Sequence, residues 1–353
     1  VRSPASAIAS LRRGHLGVRL AGRGARAVQS ALTSATLGVT RPGPGIAAVV
    51  TLNADEENAT VQTVLLGERS DLSEIVYVSP DPALARVAVA EAARCLGFPV
   101  PTSLRYEALS YRSLLAAHRR ASETYSTHVL IPGRDPSGRR VHTHLTHGSG
   151  PKPDTTFRGP ATVLASITPE WVPQQLAEYR LPADTRVVPD QPRLRVMRRA
   201  VGDRSVHARL GLDPARELVV WAPTYRAIRR AGGEVRVSGV PFGEADGWDR
   251  IPDPETGDTL AQLRAAATAR GAQFLAKLHP HDAARLDGLG FPALTGTSLR
   301  ERGVTAYELF GAAEHLITDY SSIGVERQAL GLPLTLWRPD LAEFGASYRG
   351  FRG

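Results

Sequence analysis

The sequence predicts an α/β protein built of two doubly wound domains that face one cleft, and three observations lead there. At 353 residues the chain exceeds one ordinary core and suits two. Short β-branched runs bounded by Pro, Gly, Asn or Asp alternate with helical stretches, which is the pattern of a parallel sheet flanked by helices. A proline-containing break near residue 190 is followed by a restart of the same alternation.

In the first half, Gly45–Leu52 (GIAAVVTL) and Glu74–Val78 (EIVYV) read as buried strands, and Pro82–Leu96 and Ala108–Ala121 as helices. Arg139–Leu145 and Thr162–Ile167 read as further strands. Pro169, Glu170 and Trp171 then suit a helix start, because proline and an acid fit the first turn. Val187–Val196 (VVPDQPRLRV) carries two prolines and little periodicity, so the interdomain linker is expected there, dividing the chain into domains 1–190 and 191–353. Beyond it Leu218–Ala222, Gln273–Leu278, His315–Thr318 and Leu334–Trp337 read as strands, with helices over Thr259–Arg270 and Ser321–Leu330. Residues 229–257 read as a long loop. The carboxyl ends of two such sheets would line the shared crevice where open α/β sheets take their ligands.

Composition narrows the function classes. With 42% hydrophobic and 22% charged residues the chain is folded, not disordered. Its one cysteine, Cys95, excludes an intramolecular disulfide and a thiolate metal site, and it suits a small buried residue of a helix. No run approaches the ~18–20 apolar residues of a membrane span and no compact signal-peptide core opens the chain, so a cytoplasmic protein is expected.

The formal charge of +8 favours anionic partners. Residues 1–54 hold seven arginines and no Asp, Glu or Lys. The basic segment 1–45, and Leu11–Leu32 in particular, is therefore expected to contact the inner face of an anionic membrane, against the plainer reading of a solvated tail. Nucleic acid is not among the expected partners. All but two of the 43 basic side chains are arginine. The remaining lysines, Lys152 and Lys277, both stand beside histidine motifs, where a compact ammonium has a use that arginine does not serve.

Three constellations carry chemistry. The first is His142, His144 and His147-Gly148-Ser149-Gly150-Pro151-Lys152, a turn after a strand in which a histidine can take a proton and glycines let backbone approach a phosphate. A polar surface turn, or a metal cluster of the three histidines, are the competing readings. The second is Lys277-Leu278-His279-Pro280-His281, where strand alternation sends Lys277 and His279 to one face and Leu278 to the other. The third is Leu316-Ile317-Thr318-Asp319-Tyr320-Ser321-Ser322, a buried strand ending in an acid and two serines that open a helix, where free N–H groups and the helix dipole favour a diphosphate. The bland alternative is Ser321 as a simple N-cap.

Taken in order, HGxxxK, Ala222-Pro223-Thr224-Tyr225-Arg226, KLHPH and ITDYSS resemble the CDP-glycerol glycerophosphotransferase family of teichoic-acid polymerases and primases, over residues ~141–351. The resemblance implies a GT-B fold and transfer of glycerol phosphate, or a related polyol phosphate, from a CDP-alcohol to a lipid-linked acceptor, with CMP released. It implies His147 as base for the acceptor hydroxyl and His279 as support for the diphosphate and departing CMP. Ser321 and Ser322 would hold the diphosphate, Glu326 would accept from ribose hydroxyls, Thr224 and Arg226 would lie near the nucleotide, and Lys152, Lys277 and Arg226 would offset phosphate charge. Asp319 joins this binding set.

The family's Thr-Pro-Leu is Ser149-Gly150-Pro151 here, a departure on the acceptor side. Tyr348–Phe351 resembles the family's RGF element, beyond which the family continues, so either the chain is truncated or its last helices are missing, and Val1 in first place suggests a fragment or an alternative start. No DxD pair stands at a strand end, and a reaction without metal or cofactor is expected, with side chains and a helix dipole carrying the charge. Two other functions remain in play: a GT-B glycosyltransferase using a nucleotide sugar, and a non-catalytic module that binds anionic polymer or membrane.

Overall fold

The structure, a computed structural model, describes residues 23–128, 135–146, 148, 150–151, 161–224, 228–231, 234–237, 248–279 and 289–346. Its first sheet has seven parallel strands: β1 Ile46–Val50, β2 Glu74–Ser79, β3 Leu104–Ala108, β4 Glu123–Ser126, β5 Val141–His144, β6 Val163–Ala165 and β7 Arg186–Val188. They lie in the order β3-β2-β1-β4-β5-β6-β7. Burial on both faces explains why β1 reads as an unbroken apolar run. The helix Pro82–Leu96 has the boundaries its residues dictate. Asp81 accepts from the Ala83 and Leu84 N–H groups, Pro82 has no N–H that needs an acceptor, and Gly97 ends the helix at φ 70°.

The second sheet comprises β8 Leu218–Ala222, β11 Gln273–Lys277, β12 Ala293–Leu294, β13 His315–Thr318 and β14 Leu334–Leu336. All are parallel, in the order β12-β11-β8-β13-β14. Between β8 and β11 a separate antiparallel hairpin, β9 Ile228–Ala231 and β10 Glu234–Val237, occupies part of the segment expected as loop. Trp221, Trp248 and Trp337 cluster on one face of this sheet, with the first two rings stacked at 5.3 Å.

Strand order reverses between β1 and β4 in the first sheet and between β8 and β13 in the second. Those reversals open crevices beyond the carboxyl ends of the strands. The expected linker Val187–Val196 is shorter than its composition suggests, because Val187 and Val188 pair with β6 and Leu194–Arg199 is a helix. That helix packs against both Pro82–Leu96 and Ala306–Ala312. The approach is so close that a Cβ on Gly311 would stand 2.1 Å from the Met197 carbonyl oxygen.

One apolar cluster therefore runs through the junction, including Tyr77 and Val89 from the first half and Val220, Leu309 and Phe310 from the second. Ion pairs from Arg94 to Glu308 (2.8 Å) and from Arg300 to Asp55 (2.5 Å) border it. Cys95 is buried in its helix and reduced, as expected of a small core residue. No described helix is long and apolar enough to cross a membrane.

Candidate active site

At the second crevice, the loops after β8 and β13 are fastened together by one carboxylate. Asp319 Oδ1 accepts from the Thr224 N–H at 2.7 Å and from the Tyr320 N–H at 2.6 Å. Thr318 adds a bond from its hydroxyl to the Ala222 carbonyl. Tyr320 points away from the crevice, bonded to Asp340 and stacked on Phe344 at 3.9 Å. The chain then enters the helix Ser322–Ala329 with Ser321 at the N-cap position. The Ser321 side chain makes no capping bond, and no acid stands in the first turn. Its N-terminal N–H groups are therefore presented with their partial positive charge and no carboxylate in front of them.

The first motif reaches this spot. A Cβ built on Gly148 would lie 2.6 Å from Ser322 Oγ and 3.1 Å from Arg193 Nη2, and one on Gly150 would lie 3.2 Å from the Ser322 N atom. Only glycine permits that approach. Two motifs more than 170 residues apart in sequence thus meet, backbone against helix N-terminus.

Immediately before His147, Thr146 is fully buried and left-handed at φ 56°, a conformation rarely adopted by a β-branched residue. It is held on both sides: Asn58 Nδ2 donates to its carbonyl at 3.2 Å, and Gln191 Nε2 donates to its hydroxyl at 3.0 Å. Asn58 Oδ1 also accepts from the Arg193 N–H at 3.1 Å.

Arg193 is the centre of this network. Buried, it donates to Glu326, lies 3.5 Å from Glu56 and covers the Tyr307 ring at 4.9 Å. Tyr307 donates to the other Glu326 oxygen, and burial keeps its own phenol well above the ordinary value. Glu326 is wholly buried, with both oxygens occupied by Arg193 and Tyr307. Where the resemblance implies ribose binding, the geometry gives a brace between linker and helix.

The acidic end of β1 faces this network. Glu56 caps the helix Glu57–Gly67, accepting from the Ala59 N–H at 2.9 Å. Glu57 follows it, partly buried. Burial, then Glu56, with Asp55 in addition, outweighs the opposing charges of Arg193 and Lys277 and pushes its carboxyl up to about 7. Lys277, at the end of β11, is shifted down by burial, which the Glu57 charge partly offsets.

Strand alternation holds at the second motif: Leu278 is buried in the tryptophan-rich core while Lys277 and His279 are partly exposed on the other side. His142 and His144 are tied into the sheet, with His142 Nε2 bonded to Ser126 Oγ at 2.8 Å and His144 Nδ1 to the Ser126 carbonyl at 3.1 Å. Among the described residues no group of three or more potential ligands could hold a metal ion.

The structure therefore brings Thr224, Asp319, Ser321 and Ser322 to one crevice, with Asp319 fastening loops and Glu326 bracing from behind. His147, Lys152 and Arg226 lie outside the described residues, as do Ser149, Tyr348–Phe351 and most of Leu11–Leu32. Glu57, Asn58, Thr146, Gln191 and Arg193 were not singled out by the sequence. The one available signal was the run Asp55-Glu56-Glu57-Asn58 directly after the first strand.

Residues 178–352 match the family described as CDP-glycerol:poly(glycerophosphate) glycerophosphotransferase. The structure of the wall teichoic acid polymerase TagF is similar over 100% of this chain and 84% of its own, with a TM-score of 0.60 at 15% identity. A TagF variant soaked with CDPG gives the same values. At that identity the likeness is one of fold, and it bears out the GT-B-like arrangement of two doubly wound sheets. No curated relative matches in sequence.

Proposed function

We propose that this chain, which over residues 178–352 is a member of the CDP-glycerol:poly(glycerophosphate) glycerophosphotransferase family of transferases, moves glycerol phosphate from CDP-glycerol onto the hydroxyl of a lipid-linked acceptor and releases CMP. One observation carries the reading most: Gly148 and Gly150 approach Ser322 in front of a helix N-terminus that has neither a side-chain cap nor a first-turn acid. A diphosphate satisfies the N–H groups there and gains from the dipole. The Thr224–Asp319 bond keeps the nucleotide-side loop beside it.

In this mechanism the acceptor oxygen attacks the glycerol-bearing phosphorus in line and its proton passes to His147. The bond to the bridging oxygen breaks, and CMP leaves carrying that oxygen. Ser321, Ser322 and His279 bond the phosphate oxygens, while Lys277, with Lys152 and Arg226, offsets the charge that builds on the leaving phosphate. Membrane contact through the basic segment 1–45 would bring the acceptor within reach.

The test is CMP release by the purified chain given CDP-glycerol and a lipid-linked glycerol phosphate primer. Release that depends on both substrates is the expected outcome. Release from a nucleotide sugar instead would favour the glycosyltransferase reading, and none from either would favour a binding module.

A further inference from the structure

Glu57 occupies the position where an open α/β sheet contacts its ligand: first in the helix after β1, at the reversal of strand order. Its neighbours on both sides are engaged in structure. Glu56 is spent on the Ala59 N–H and Arg193, and Asn58 on the Thr146 carbonyl and the Arg193 N–H. Both are buried, whereas Glu57 is partly open. Among the described residues its carboxyl has no hydrogen bond and no ion pair.

Across from it, the Lys277 ammonium likewise has no hydrogen bond or ion pair among the described residues, its recorded contact being the Phe310 ring at 6.0 Å. The two opposite charges influence each other without pairing. Partly buried charges kept apart in a crevice are groups waiting for a ligand.

We propose that Glu57 is a substrate-contacting residue that accepts hydrogen bonds from the hydroxyl groups of the acceptor's terminal polyol unit. This rests on the glycerophosphotransferase reading and names the acceptor side of the same cleft. Of the three successive acids here, Asp55 is paired with Arg300 and Glu56 with Arg193, so Glu57 is the carboxyl left open to a hydroxyl-bearing terminus. The diphosphate is left to Ser322 and the opposite sheet. A hydroxyl bonded to a carboxylate is also the stronger kind of contact, which suits a determinant of selectivity.

The groups facing Glu57 are Asp55 and Glu56 on its own segment, Arg193 from the linker and Lys277 from β11, with Tyr77 of β2 and, from the helices packed opposite, Tyr307 and Arg300 within electrostatic reach. With its carboxyl titrating at about 7, Glu57 is a full acceptor above that pH and becomes a neutral acid below it. Acceptor affinity therefore falls as pH drops through about 7.

The experiment uses the full chain and the isosteric variant Glu57→Gln, with binding of a glycerol phosphate oligomer ending in free hydroxyls measured by calorimetry, separately from CDP-glycerol binding. The expected result is oligomer affinity reduced about ten- to hundredfold, the range of one charge-assisted hydrogen bond, with CDP-glycerol affinity unchanged and the pH dependence of oligomer binding near 7 removed. Undiminished oligomer binding by the variant, a loss confined to CDP-glycerol, or no oligomer binding by the wild type would each overturn the assignment. CMP release is measured in parallel: its absence from the wild type would defeat the glycerophosphotransferase reading, while the binding comparison would still decide the role of Glu57.

Discussion

Two helices begin at the two crevices, and they begin differently. The helix Glu57–Gly67 is closed by its own carboxylate, with Glu56 capping it and Glu57 in its first turn. The helix Ser322–Ala329 has a serine at the cap position whose hydroxyl makes no cap bond, and it has no acid in its first turn. Since a capping carboxylate already fills the place an anion would take, only the second N-terminus is suited to phosphate. On the proposed reading, the difference divides the cleft into an anion-accepting side and a hydroxyl-accepting side, the division a phosphotransferase needs between donor and acceptor.

That contrast can be tested by weakening each side. Replacing His279 by Ala removes a group from the anion side and should lower CMP release ~10²–10⁴-fold with the fold intact, as should His147→Ala on the acceptor side. Near wild-type rates in both would break the mechanistic half of the comparison. Arg193→Ala takes away the cation shared by Glu326 and Glu56 from the two regions, and leaves buried carboxylates uncompensated. A loss of about 3–5 kcal/mol in urea unfolding is expected.

Ser322→Ala should weaken CDP-glycerol binding by about 1.5–3 kcal/mol, the worth of a bond to a charged group, and leave oligomer binding alone. The sharpest version is the smallest. Ser321→Asp makes the second helix resemble the first, so it should raise stability by about 1 kcal/mol while CDP-glycerol affinity falls. Affinity rising together with stability would show that this N-terminus does not meet phosphate.

Strands buried on both faces were the legible part of the fold: Leu218–Ala222 and His315–Thr318 are found with the boundaries their residues imply. The edge strand β3, LRYEA, was not, because exposed and half-buried residues mix along it without an apolar run. Arg186–Val188 is three residues long and runs into a proline, so it reads as linker although it completes a sheet. The helix Glu57–Gly67 is buried nearly all round, and this erases the one-sided pattern that betrays a surface helix.

At the site, local motifs pointed to Ser321, Ser322 and His279. The clamp on Thr146 and the Arg193 network had no such signal. Asn58 meets Thr146 across 88 residues and Arg193 meets Glu326 across 133, and one sequence holds no trace of such pairings. Glu326 illustrates the cost: the resemblance implied a group for ribose hydroxyls, and only the fold reveals an arginine from the linker already seated on it.

The helix Leu194–Arg199, pressed between Pro82–Leu96 and Ala306–Ala312, has a consequence for how the molecule holds together as a folding unit. Two domains joined by a tether would melt separately and could be exchanged between proteins as modules. Here, besides the clusters within each half, one apolar cluster is continuous across the junction, so each half completes the inner face of the other. Unfolding should then be one cooperative event in spite of the two sheets. A chimera that borrows only the donor-binding half would inherit an exposed Met197 and Phe310 surface with nothing fitted to cover it.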